Sequence, residues 1–243
     1  MDKQEWQKRG AGHRSRLRDR FLEHGLNGFT DAEIVELLLT FGTPRSDCKQ
    51  PARELLDKFG SLAAVLEAPA AELAKIKGVG KKNSFALPFI QAVAGRYLKN
   101  RLKGKRYLHS AAEVRDYLLH SMRGLRREVF TVIYLDSSHA IIESEVVSEG
   151  TVNVSKVYPR ELVIKALAHH AAAIIVAHNH PSGSVSPSGA DLKLTQNLHL
   201  IGMLMQINLL DHLIIGDEVY SFAGSGRMAE IKRQNEQIIS DMR

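Results

Sequence analysis

Two imidazoles stand two residues apart in the segment Ala177-His178-Asn179-His180-Pro181-Ser182-Gly183, directly after the apolar run Ala173-Ile174-Ile175-Val176-Ala177. In extended chain such residues point to the same side, with Cα atoms roughly 6–7 Å apart. Both rings can then converge on one ion at Zn–N distances of about 2.0–2.1 Å. Pro181 and Gly183 force a turn. Pro187-Ser188 is a helix-start signal that puts Asp191 in the first helical turn, where the helix dipole stabilises a carboxylate that can act as a third ligand. Two histidines and one carboxylate leave the fourth tetrahedral position open to water, as in a catalytic rather than a structural zinc site. Ser188 also suits a plain helix N-cap. His169 and His170 form a second close pair, but adjacent residues on a helical segment do not face one ion.

These residues need a strand before them and a helix after them. Val129–Leu135 is β-branched and aromatic and reads as a buried strand, with residues 140–147 as its partner. Residues 159–172 have helical periodicity, and 173–177 read as a central strand. Residues 191–200 are expected to be helical. Residues 209–215 and 219–222 flank Gly216-Asp217-Glu218 as a hairpin, and an amphipathic helix closes the chain.

The front half has a different texture. Thr30 with Glu33 resembles a capping box, followed by Ile34, Leu37, Leu38 and Phe41 at helical spacing. Further helices are expected over 51–58, 61–67, 70–76 and 83–98, the last kinked near Pro88. No strand signal occurs before residue 100. The charged run Lys99–Arg106 marks the expected linker, which divides the chain into 1–106 and 107–243. Residues 1–106 carry 21 Lys/Arg against 12 Asp/Glu, a net +9, whereas 107–243 carry 12 against 15, a net −3. The fold class is therefore α+β, an all-helical basic domain followed by an α/β domain with a mixed central sheet.

Hydrophobic residues make up 44% and charged residues 25% of the 243 residues, which excludes a fibrous or disordered chain. No apolar run reaches the roughly 18 residues of a spanning helix, and no membrane partner is expected. The charged start of the sequence lacks a secretory apolar region. The lone Cys48 excludes an internal disulfide framework and a thiolate-only zinc site. These points together lead us to expect a cytoplasmic protein.

Lys75-Ile76-Lys77-Gly78-Val79-Gly80-Lys81-Lys82 resembles a helix-hairpin-helix, in which a glycine turn exposes backbone N–H groups to a nucleic-acid phosphate. Lys77, Gly78, Gly80, Lys81 and Lys82 are the candidate DNA contacts. No strand precedes the turn and no third glycine follows, so it is not a dinucleotide fingerprint. The basic run Lys8–Arg20 beside Trp6 reads as a solvated first helix in preference to an arm on DNA.

Residues 178–191 match every fixed position of H-x-H-P-x6-S-x2-D, the JAMM signature of the JAB/MPN metalloproteases. HNHPSG, Pro159-Arg160-Glu161 and Leu210-Asp211-His212-Leu213-Ile214-Ile215 resemble the RadC branch, and the resemblance extends over nearly the whole chain. It implies a cytidine-deaminase-like JAB/MPN fold behind a helix-hairpin-helix-like region. It also implies a Zn²⁺ cofactor on His178, His180 and Asp191, and hydrolysis of a peptide or isopeptide bond in an unidentified substrate. A glutamate before an apolar strand would then move the proton of the attacking water. Glu128 fits that position and Glu149 is the second choice, with Glu143, Glu145 and Glu161 also present. Ser188 would donate a hydrogen bond to the oxyanion. The alternative is a DNA-binding, repair-associated protein whose metal domain holds zinc without proteolysis.

Overall fold

A computed structural model describes residues 3–43, 46–150 and 157–241 of the chain. They fall into two units, Met1–Ala94 and Gly95–Arg243.

The first unit is helical throughout its described residues. It contains α1 (Lys3–His24), α2 (Asp31–Leu39), α3 (Lys49–Phe59), α4 (Leu62–Glu67), α5 (Ala70–Leu73), α6 (Lys81–Ser84) and the start of α7 (Ala86–Leu102). The capping box forms as its spacing implied. Thr30 Oγ1 accepts the Glu33 N–H at 3.3 Å, and Glu33 Oε2 accepts the Thr30 N–H at 2.9 Å. Gly60 closes α3 at φ 86°, a conformation that costs glycine little. Val35, Leu39, Leu55, Val65, Leu73 and Leu87 form the core. The basic run 8–20 lies inside α1, not in an extended arm. The helix expected over 83–98 is broken at Phe85 into α6 and α7. Pro88 has no N–H to offer the Ser84 carbonyl one turn earlier, so the ladder fails there.

The two units divide inside α7, and the run 99–106 is not a free linker. Its first residues continue α7 to Leu102, which is buried in the second unit's core. Its later residues pair as backbone. The Gly104 N–H donates to the Ile141 carbonyl at 2.8 Å, and the Ile141 N–H donates to the Lys105 carbonyl at 2.9 Å.

The second unit continues with α8 (Tyr107–Met122), a stretch to which the sequence reading assigned no element. Val114, Tyr117, Leu118 and Met122 are its buried stripe at helical spacing. Then follow β1 (Val129–Leu135), β2 (Ile141–Glu149), α9 (Pro159–Ala168), β3 (Ala173–Asn179), α10 (Gly189–Met205), β4 (Asn208–Ile215), β5 (Val219–Ser221) and α11 (Arg227–Asp241). The sheet order is β2-β1-β3-β4-β5. Only the β3–β4 pairing is parallel, so the sheet is mixed. One sheet face carries Phe130, Val132 and Val176 against Leu162, Leu198 and Ile231 of α9, α10 and α11. The other carries Val129, Ile133 and Ala177 against Val114 and Leu118 of α8. β3 lies at the centre with both faces covered, which is why its sequence is continuously apolar until the histidine pair.

Candidate metal centre

The sheet carries His178 into place. It pairs with Phe130 of β1 on one side and with Ile214 of β4 on the other. Its side chain therefore shares the face of Phe130, the face that α10 covers. His180 lies just past the strand, where its N–H donates to the Ile215 carbonyl at 2.8 Å. The turn after it is clamped onto the β4–β5 hairpin by the Asp217 N–H, which donates to the Gly183 carbonyl at 2.9 Å. Gly216 makes that clamp possible, since a Cβ there would stand 2.2 Å from the Gly183 oxygen. The His180 ring is oriented by the Ser184 carbonyl, 2.8 Å from Nδ1. A carbonyl can only accept, so Nδ1 carries the hydrogen and Nε2 is the nitrogen left to ligate.

Asp191 reaches the same place from α10. Ser188 is the N-cap, as its position before the helix implied. Its N–H and its hydroxyl each donate to Asp191 Oδ2 at 2.7 Å, and its Oγ accepts the Asp191 N–H at 3.2 Å. That leaves Oδ1 turned toward the histidines, 3.1 Å from His178 Nε2. Burial works against the Asp191 charge, but the neighbouring His178 and the Ser188 hydrogen bonds outweigh it and hold the carboxyl well below the usual carboxylate range.

The three groups fit one divalent ion. His178 Nε2 and His180 Nε2 are 3.0 Å apart, and Asp191 Oδ2 is 3.5 Å from His180 Nε2. One ligand atom from each residue lies within 4.8 Å of the others. Ligands about 2.0–2.1 Å from a tetrahedral ion sit roughly 3.3 Å from one another. Two imidazole nitrogens and a carboxylate suit a borderline ion of the first transition row better than magnesium or calcium.

Glu128 sits immediately before β1, half-buried, two residues from Phe130, which faces His178 across the strands. Glu149, at the far end of β2, pairs with Val129. Glu143 and Glu145 are held in ion pairs, Glu143 by Lys99 at 2.8 Å and Glu145 by Lys165 and His169. Glu161 stands in the first turn of α9. His169 stacks on Tyr134 at 4.3 Å, apart from the histidine pair 178/180.

Three further residues shape the site and were not singled out from sequence. His212 Nε2 lies 2.8 Å from His178 Nδ1, and its Nδ1 lies 2.7 Å from Thr195 Oγ1. Complete burial pushes the His212 imidazole well below its ordinary value, so it is neutral. Asn179, between the two histidines, turns to the other sheet face and bonds the segment before β1. The available signal was a polar residue within each apolar run, Asn179 at the end of β3 and Asp211-His212 within β4.

The candidate nucleic-acid residues lie in the first unit. Gly78 adopts φ 85°, and Gly80 caps α6 with its N–H donating to Asn83 Oδ1 at 2.7 Å. Asn83 Nδ2 donates back to the Gly78 carbonyl at 2.9 Å, which locks the turn. Lys77, Lys81 and Lys82 are exposed around it.

The sequence matches two known families in the same order as these units. Residues 108–227 match the RadC-like JAB domain, and residues 10–85 match the UPF0758 N-terminal domain. A UPF0758 protein of Paraburkholderia xenovorans is 40% identical over 210 residues, covering 86% of this chain and 83% of that protein. One from Stenotrophomonas maltophilia is 40% identical over 216 residues, covering 88% and 92%. One from Cellvibrio japonicus is 40% identical over 212 residues, covering 87% and 95%. With identity at that level along most of both chains, and with the JAB signature residues gathered at one point of the fold, this chain belongs to the UPF0758, or RadC, family.

Proposed function

We propose that the second unit is a zinc-dependent peptidase that hydrolyses a peptide or isopeptide bond. The observation that carries this reading is the convergence of His178, His180 and Asp191, which among the described residues make a set of three ligands, one fewer than a closed structural site uses. A zinc ion there would supply Lewis acidity, lowering the pKa of water toward about 7 and polarising a carbonyl.

The chain's own groups supply the rest. Glu128 takes a proton from the attacking water and returns it to the leaving amine, so that amide and water become acid and amine. Register supports Glu128 over Glu149. Glu128 lies two residues beyond Phe130, and His180 lies two residues beyond its partner His178, so both sit at the same end of the same strand pair. Glu149 faces Val129, whose side chain packs toward α8 on the opposite side of the sheet. Ser188 turns its hydroxyl hydrogen from Asp191 to the developing oxyanion, while its N–H continues to hold Oδ2.

Metal analysis of the purified chain tests the ligand set. Wild type is expected to hold zinc, and His178→Ala and Asp191→Ala to lose it. Equal zinc in all three would overturn the assignment. A Glu128→Gln variant should keep zinc, lose hydrolysis and retain its peptide or protein substrate, which makes it the means of identifying that substrate.

A second reading concerns the first unit. The exposed Lys77, Lys81 and Lys82 around the Gly78 turn suit sequence-independent contact with a DNA backbone. Binding of the full chain to duplex DNA should weaken steeply with salt, and each lysine removed should lower the salt slope by about one. Salt-insensitive or absent binding would remove this role.

A further inference from the structure

We propose that His212 and Thr195 are positioning residues, whose hydrogen bonds determine that His178 presents Nε2 to a divalent cation. The proposal rests on the metal-site reading above and concerns how that site is oriented.

The direction of the chain is set at one end. A backbone carbonyl can only accept, so Thr195 gives its single hydroxyl hydrogen to the Asp191 carbonyl, 2.6 Å away. Thr195 Oγ1 can then only accept from His212 Nδ1, at 2.7 Å, and that nitrogen must carry a hydrogen. His212 has no exposed surface. Among the described residues no carboxylate hydrogen-bonds its ring, so nothing compensates a buried charge and the ring is neutral. With its hydrogen on Nδ1, its Nε2 is a lone pair. That lone pair faces His178 Nδ1 at 2.8 Å, and His178 Nδ1 must therefore supply the hydrogen. The one His178 nitrogen left over is Nε2, which lies 3.0 Å from His180 Nε2 and 3.1 Å from Asp191 Oδ1.

Packing fixes the plane of the relay. Phe222 stacks on the His212 ring at 5.0 Å, and Phe130 meets it edge-on at 6.0 Å. The result is a closed circuit. It leaves the peptide group of one candidate ligand, Asp191, crosses α10 and β4, and ends on the ring of another, His178. A ligating histidine is usually oriented by one acceptor on its second nitrogen. Here the acceptor is itself a histidine, whose tautomer is dictated by a threonine. His180 needs no relay, because the Ser184 carbonyl orients it directly.

The test uses the full-length chain labelled with ¹⁵N and freed of metal, with imidazole nitrogen shifts read by NMR at mildly alkaline pH. Zinc affinity is measured alongside by competition with a chromogenic chelator. Wild type should show His178 with its hydrogen on Nδ1. Thr195→Val keeps the shape and removes the hydroxyl. It should give mixed His178 tautomers and bind zinc about 10–100-fold more weakly. Thr195→Ser should restore both readings, and His212→Phe should lose both. A His178 ring with its hydrogen on Nε2 and none on Nδ1 in wild type overturns the proposal without any variant. So does a Thr195→Val protein with wild-type shifts and affinity. A wild-type chain with the expected tautomer and no zinc affinity would instead overturn the peptidase reading and leave the hydrogen-bond relay standing.

Discussion

The side-chain carbonyl of Asn179 accepts the backbone N–H of Val129 at 2.8 Å, in the place where a strand partner would otherwise pair. The same amide donates to the carbonyls of Arg127 at 3.0 Å and Leu125 at 3.3 Å. Asn179 is 1% exposed, so its amide sits away from water, and the bond to Val129 is fully buried. A single side chain between the two histidines thus holds the segment that carries Glu128. Asn179→Asp would keep the acceptor and turn the donor into a second acceptor facing two carbonyls. We expect a loss of about 1–3 kcal/mol in urea denaturation. We also expect a fall in hydrolysis larger than any fall in zinc content, because the ligands stay while Glu128 shifts. An unchanged unfolding midpoint would show that the clamp does not matter.

The loop after His180 depends on two backbones meeting. Gly183 sits at φ 82°, and a Cβ on Gly216 would come within 2.2 Å of its carbonyl oxygen. Gly216→Ala must therefore push the loop off the hairpin. The Asp217–Gly183 hydrogen bond and the alignment of His180 would go with it. The expected cost is about 1–3 kcal/mol, together with weaker zinc retention in dialysis against a chelator. Gly25→Ala serves as a comparison that strains only its own φ of 63°, since a Cβ there meets nothing. It should leave zinc retention unchanged.

A bound ion stabilises the folded chain according to its free concentration. At a hundred times its Kd the gain is about 2.7 kcal/mol. Chelation should therefore lower the unfolding midpoint of wild type, and added zinc should restore it. His178→Ala should unfold at one midpoint with or without chelator. A chelator effect of equal size in that variant would place the stabilising metal elsewhere.

Much of this arrangement could be read from the chain, and the exceptions have physical causes. β1 and β3 were legible because both faces of each are covered, so nearly every residue is apolar or β-branched. The ligands were legible because strand geometry makes i and i+2 coincide and a capping box fixes Asp191 relative to Ser188. The α8 helix was passed over although Val114, Leu118 and Met122 repeat at helical spacing. Its exposed face mixes Leu108 and Ala112 with Arg115 and Asp116, which blurs the apolar stripe, and it follows the basic run that suggested a linker. His212 could not be assigned a role from sequence, since its partners Thr195 and His178 are distant along the chain and meet only when α10 packs on the sheet. The break at Phe85 was misplaced to Pro88 because a proline disrupts the turn before it, not its own position.

The Thr30–Glu33 capping box makes the stability of the first unit depend on acidity. The Thr30 backbone N–H is the main cause that holds the Glu33 carboxyl below its ordinary value, and Arg20, at 2.7 Å, adds to it. A carboxyl lowered in the folded state contributes stability that is complete above its unfolded value. That contribution is lost as pH falls through the folded one. Wild type should therefore weaken as pH drops below the ordinary carboxylate range. Glu33→Gln keeps an oxygen to accept the Thr30 N–H but carries no charge to lose. Other paired carboxylates contribute to the acid slope of both proteins, so the difference between their urea midpoints across pH isolates Glu33. Glu33→Gln should be the weaker protein at neutral pH, and the two curves should converge in acid. Thr30→Ala should cost about 1 kcal/mol at neutral pH. Parallel curves for wild type and Glu33→Gln would mean that the cap is held by hydrogen bonding alone, with no contribution from the Glu33 charge.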